Sequence, residues 1–137
     1  MSIIVTDHPD PSARELILAG LVAYNEAQVG PSEAQPMAVL VQDETMHILG
    51  GLWGWTAYGW LSVELFFLPP SLRSLGLGTE VMQRAEEEAR RRGCHSAWLD
   101  TFEFQARGFY ERLGYTVFGQ LDPYPTGFVR YFMRKAL

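Results

Sequence analysis

The sequence predicts an α/β (α+β) fold: a mixed, mostly antiparallel central sheet of about seven strands with helices on both faces. Three observations carry this. Strand-length apolar runs and helical periodicities succeed one another in the order β-α-β-β-β-α-β-α-β-β. Three of the runs, between Ala38 and Leu68, are separated only by short turns, as in an antiparallel meander. The two later helices are then crossover connections, which are right-handed. At 137 residues the chain reads as one domain, 1–137, large enough to bury a core of its own.

From the N-terminus, Ile3 to Thr6 reads as a short strand. Pro11 and Ser12 open a helix with Ala13, Leu16, Ile17, Leu21 and Tyr24 on one face, and Gly30-Pro31 punctuates the chain beyond it. After a polar loop from Pro31 to Pro36 come strands at Ala38 to Gln42, Met46 to Trp55 and Trp60 to Leu68, with turns at Asp43-Glu44 and Tyr58-Gly59. Pro69-Pro70 must end the last of them. A helix from Gly76 to about Arg92 buries Leu77, Val81, Met82, Ala85 and Ala89. On its other side Glu86→Arg90, Glu87→Arg91 and Glu88→Arg92 form i,i+4 pairs worth ~0.2–0.5 kcal/mol each, and this charged run reads as a solvated face. A strand from Ser96 to Thr101 precedes a short helix with Ala106, Phe109, Tyr110 and Leu113 at helical spacing, closed by Gly114. Tyr115 to Leu121 and Phe128 to Arg134 finish as a hairpin.

Composition excludes several classes. The apolar share of 47% and the charged share of 20% are those of an ordinary globule. A net charge of −5 argues against a nucleic-acid surface, which needs a basic stripe. It favours small or cationic partners. Cys94 is the only cysteine and the three histidines lack ligand spacing, so no internal disulfide or metal site is expected. The uncharged stretch from Thr45 to Val63 carries Gly50, Gly51, Gly54 and Gly59, a density that reads as strands and a turn, not a membrane helix. With no basic-then-apolar leader at the N-terminus, the expected setting is cytoplasmic, with no membrane partner. A homodimer is left open.

The most informative stretch is Arg73-Ser74-Leu75-Gly76-Leu77-Gly78-Thr79, which joins an apolar strand to an amphipathic helix. A helix start has unpaired N–H groups and the positive end of the macrodipole, and residues without Cβ let an anion come close. The stretch reads either as a phosphate cradle or as a plain strand-to-helix turn. A P-loop needs Lys-Ser/Thr after the last glycine, where Thr79-Glu80 stands. A dinucleotide fingerprint needs Gly or Ala where Val81 stands.

With Phe66-Phe67-Leu68-Pro69-Pro70 before this loop and Phe109-Tyr110-Glu111-Arg112-Leu113-Gly114-Tyr115 after it, the chain resembles the GCN5-related N-acetyltransferase (GNAT) superfamily over nearly its whole length. The loop matches the family's Arg/Gln-x-x-Gly-x-Gly/Ala pattern. The later block matches Phe/Leu-Tyr-x-x-x-Gly-Phe/Tyr. Asp100-Thr101-Phe102-Glu103-Phe104-Gln105-Ala106 further resembles a small bacterial subgroup. The resemblance implies acetyl-CoA as co-substrate, without metal. It places the pyrophosphate on the amides of Leu75 to Thr79, and the pantetheine arm on the exposed backbone of Phe66, Phe67 and Leu68. The thioester then sits where the strands of Phe66 and Asp100 splay apart. Where many members have an asparagine touching the pantetheine this chain has Glu103, and Gln105 is assigned the contact instead.

Acetyl transfer to an amine needs a neutral nucleophile, a polarised carbonyl and an acid for the departing thiolate. By position Tyr110 belongs to the apolar stripe of its helix with Ala106 and Leu113; the family match makes it that acid. Glu64 is the base candidate, because period-two alternation puts Ser62, Glu64, Phe66 and Leu68 on one strand face, where a carboxylate needs a wet cleft or an arginine partner. Asp100 is the second choice, or a helix cap. Trp53, Trp55, Tyr58 and Trp60 crowd one hairpin, either as packing or as a substrate wall that narrows the cleft. The function expected is direct acetyl transfer to the amine of a small, cationic molecule. The rivals are a degenerate acyl-CoA-binding module and a protein or peptide acetyltransferase.

Overall fold

A computed structural model describes residues 1–137, and the chain divides into two compact units, Met1–Ser32 and Glu33–Leu137. The first is a helix with its lead-in. Helix α1 (Pro11–Val29) begins at Asp10, whose carboxylate accepts from the Ser12 N–H at 2.9 Å. Pro11 sits in the first turn, where its missing N–H costs nothing. Gly30 closes the helix at a φ of 89°, a backbone state that suits a residue without Cβ. Ile3 to Thr6 is not a strand, since none of its residues joins a ladder. A four-residue apolar run has no stability as a strand without a neighbour to take its backbone hydrogen bonds.

The second unit therefore carries six strands where about seven were expected: β1 (Gln35–Gln42), β2 (Ile48–Ala57), β3 (Trp60–Phe67), β4 (Ser96–Phe102), β5 (Thr116–Leu121) and β6 (Arg130–Ala136). Their spatial order is β1-β2-β3-β4-β6-β5, and every pairing is antiparallel except β3 with β4. The parallel pair needs a crossover, which helix α2 (Leu77–Arg91) supplies; α3 (Arg107–Arg112) lies between β4 and β5. β2 starts at Ile48, two residues later than its apolar run, because the Asp43 carboxylate accepts from the N–H groups of Thr45 and His47 and closes 43–47 as a turn.

One sheet face holds the core. Leu52, Leu61, Val63, Leu99 and Met133 meet Val81, Met82, Ala85 and Ala89 of α2 and Tyr110 of α3, so both helices of this unit pack on the same face. Cys94 joins this core, and burial pushes its thiol pKa up. On the charged side of α2 the expected i,i+4 pair with Arg90 forms, at 3.8 Å, but the solvated-face reading fails at Glu86. That residue is only 3% exposed, accepting from Tyr115 Oη at 2.9 Å and Lys135 Nζ at 2.7 Å. Glu88, not Glu87, takes both Arg91 and Arg92, which hold its carboxyl down at about 2.

Candidate active site

The cleft opens where two strands part. β3 and β4 pair only from Trp60–Ser96 to Val63–Leu99, and past those residues no ladder joins them. At the same point β3 bulges: Trp53 pairs with Leu65 and Gly54 with Val63, so Glu64 is passed over in the register. An extra residue in one strand bends it and turns every later side chain to the other face. The alternation read from sequence thus fails at this residue. Phe66 does not share a face with Ser62 and Glu64 but packs on the core side, its ring 5.8 Å from Phe109 and 6.3 Å from Tyr110. The resulting cleft has a volume of about 850 Å³.

One end of the cleft is the start of α2. Arg73, Ser74, Gly76, Gly78 and Thr79 line it, while Leu75 and Leu77 do not. The first intrahelical bond is Glu80 N–H to the Gly76 carbonyl at 3.1 Å, so the N–H groups of Leu77, Gly78 and Thr79 have no acceptor within the helix. The two glycines serve different ends. Gly76 has a φ of 78° with open space where a Cβ would point, the geometry of an anion's approach. A Cβ on Gly78 would lie 3.3 Å from the Phe109 ring, so its lack of a side chain serves packing against α3. Arg73 reaches back to give its Nε–H to the Leu68 carbonyl at 2.9 Å, which pins the loop to the chain leaving β3. Phe66, Phe67 and Leu68 form the adjoining wall.

The middle holds Tyr110 and Glu64. Tyr110 is 6% exposed yet lines the cleft, so it is at once a core residue and a wall residue. Burial, with the Asp100 carboxylate as a second cause, pushes its phenol up to about 12. Glu64 is exposed in the cleft and forms no ion pair with an arginine. Asp100 also lines the cleft, but its carboxylate is taken by Arg130, with Nη2 at 2.6 Å and Nε at 2.7 Å. It therefore neither caps the following helix nor stands free. Gln105 lines the cleft too, and its Oε1 accepts from the Phe102 N–H at 2.7 Å, bracing the turn after β4.

Trp53, Trp55, Tyr58 and Trp60 are absent from the cleft walls, and the first three are substantially exposed, so these aromatics are not the wall that narrows the cleft. The aromatic wall comes instead from Phe102 and Phe104, beside Arg130. Sequence reasoning passed over all three in this role. Arg130 reaches the cleft only because β6 lies next to β4, a pairing between residues far apart in the chain.

The chain from residue 6 to 115 matches the Acetyltransferase (GNAT) family. It is 39% identical over 127 residues to Acetyltransferase Atu2258 of Agrobacterium fabrum, covering 93% of each chain. It is 36% identical over 109 residues to Blasticidin-S acetyltransferase of Streptomyces morookaense, covering 77% of this chain and 80% of that one. Among solved structures, an acetyltransferase from Agrobacterium tumefaciens superposes with a TM-score of 0.95 at 37% identity over 100% of both chains. One from Bacillus cereus gives 0.85 at 26% identity over 98% of both. With its sheet order, its splayed β3–β4 cleft and these relatives together, the chain belongs to the acetyltransferase (GNAT) family and is an N-acetyltransferase.

Proposed function

We propose that this protein, as one functional domain of residues 1–137 acting in the cytoplasm, moves an acetyl group from acetyl-CoA directly to the amine of a small cationic molecule. The observation that carries the reading is the convergence, in one cleft, of the open N–H groups at the start of α2, the buried phenol of Tyr110 and the unpaired carboxylate of Glu64. The N–H groups of Leu77 to Thr79 are suited to pyrophosphate, since they add three donors to the positive end of a helix. Edge backbone at Phe66 and Phe67 is suited to a pantetheine arm laid along it as an added strand.

The chemistry then divides between two side chains. Glu64 attracts an ammonium and accepts its proton, directly or through one water, which leaves the nitrogen lone pair free to attack the thioester carbon. As the C–S bond breaks, the departing thiolate takes a proton from Tyr110, and the second proton leaving the acetylated nitrogen restores the phenol while Glu64 returns its proton to water. At neutral pH the buried phenol of Tyr110 is fully protonated, so it has a proton to give. Asp100, tied to Arg130, shapes the wall beside Tyr110 rather than serving as base. The 36% identity to an enzyme named for blasticidin S supports a small-molecule acceptor over a peptide one.

Incubation with acetyl-CoA and a panel of primary amines tests the reading, with free thiol and acetylated amine both measured. Stoichiometric release of the two supports it. Binding of acetyl-CoA with no amine turned over would identify an acyl-CoA-binding module instead.

A further inference from the structure

We infer that the acceptor amine carries a flat aromatic or heteroaromatic ring, and that Phe104 is the residue that selects it; this rests on the acetyl-transfer reading of the cleft. Phe102 and Phe104, both on the cleft wall, stack with ring centroids 5.3 Å apart and planes 2° from parallel. Tyr124 lies against Phe102 at 5.6 Å, and Phe128 meets Phe104 edge-on at 5.1 Å. Phe104 is nevertheless 56% exposed, so much of its ring stays open to a ligand.

The stack is held rigidly from two sides. Arg130, fixed by Asp100, places its guanidinium 5.2 Å from the Phe102 ring centre and 5.0 Å from that of Tyr124. Glu103 clamps the turn beneath: its N–H bonds to the Val129 carbonyl at 2.8 Å, and its carboxylate accepts from the Val129 N–H at 2.9 Å. A ring that is already ordered gives up little rotamer freedom when a ligand stacks on it. The charges on this wall are also settled. With Asp100 and Arg130 neutralising each other, Glu64 is the cleft's free carboxylate for an ammonium, and Phe102 and Phe104 add an apolar, π-rich surface beside Arg130 and Gln105. An amine at Glu64 with its planar carrier extending over Phe104 satisfies both. A saturated ring of the same size would bury similar area without the face-to-face contact.

Calorimetric binding of 2-phenylethylamine and 2-cyclohexylethylamine to the whole protein tests this independently of turnover. The aryl amine should bind roughly 2–10-fold more tightly than the cyclohexyl one. Phe104→Leu should bring that ratio to about one, and Phe104→Tyr should keep it. Equal affinities in the wild type, a preference that survives Phe104→Leu, or no binding of either amine at millimolar concentration would overturn the inference. An aryl preference that depends on Phe104 without acetylation of any amine would sink the acetyl-transfer reading alone. Turnover of both amines with equal affinity would do the reverse.

Discussion

Glu64 and Asp100 have similar positions in the sequence, each a carboxylate late on an apolar strand, yet their neighbours set them apart. Asp100 faces Arg130 across the β4–β6 ladder, while Glu64 sits in a bulge with no cation beside it. Glu64→Gln keeps the shape and removes the charge. It should raise KM for cationic amines and depress the low-pH limb of kcat/KM, with the melting temperature unchanged because no ion pair is lost. A lowered melting temperature with an unaltered pH profile would make Glu64 structural. Tyr110→Phe retains the packed ring and removes the proton, so kcat should fall by up to ~10²–10⁴-fold with acetyl-CoA affinity nearly intact. The raised phenol pKa has a second consequence. The folded protein holds this proton more tightly than the unfolded chain, so the stability it contributes is complete below pH 10 and is lost as pH climbs through about 12. Melting temperatures measured across that window should fall less steeply for Tyr110→Phe than for the wild type. Tyr115, whose pKa burial and Glu86 also raise, leaves a residual slope.

At the scale of elements, α2 does two jobs with its two ends. Its N-terminus presents unpaired N–H groups to the cleft, while its middle turns Glu86 into the protein to meet Tyr115 and Lys135. Glu86→Ala would leave a buried hydroxyl and a mostly buried ammonium without their acceptor. The expected loss is about 3 kcal/mol in chemical denaturation, at the low end for a broken buried pair because Lys135 can still reach water. The N-terminal end is tested by ligand-induced stabilisation. Acetyl-CoA at ~100 times its Kd should add about 2.7 kcal/mol, read as a rise in melting temperature. Gly76→Val should abolish that rise by filling the open space over the loop. The increment on adding acetyl-CoA is the quantity to compare, since the positive φ makes the variant strained by itself. An undiminished increment would move the pyrophosphate away from this helix start.

For the whole molecule, a net charge of −5 together with an unpaired carboxylate in the cleft should draw cationic acceptors in. Screening then has a defined sign: KM for a monocationic amine should rise by about twofold or more between low and high salt. Most of the architecture is legible in the sequence. Strand alternation, the caps at Pro11 and Gly30, and the Arg73–Thr79 loop are local patterns, and each local pattern has one low-energy backbone solution. Of the residues assigned from the motif, Tyr110, Arg73, Ser74, Gly76, Gly78 and Thr79 line the cleft, while Leu75 and Leu77 do not. What sequence could not supply lay in long-range pairing. The bulge at Glu64 appears only in the register against β2, and it turns Phe66 to the core. The Asp100–Arg130 pair and the Phe102–Phe104 wall with Tyr124 and Phe128 exist because β6 returns beside β4. Ile3 to Thr6 had a strand's composition and found no ladder. Sequence alone thus determined the family and the strand-to-helix loop, because those depend on neighbours a few residues apart, and the candidate acid followed only from the family resemblance. Which carboxylate stands free, and which aromatics line the cleft, depended on contacts between distant segments, and those are set only when the sheet closes.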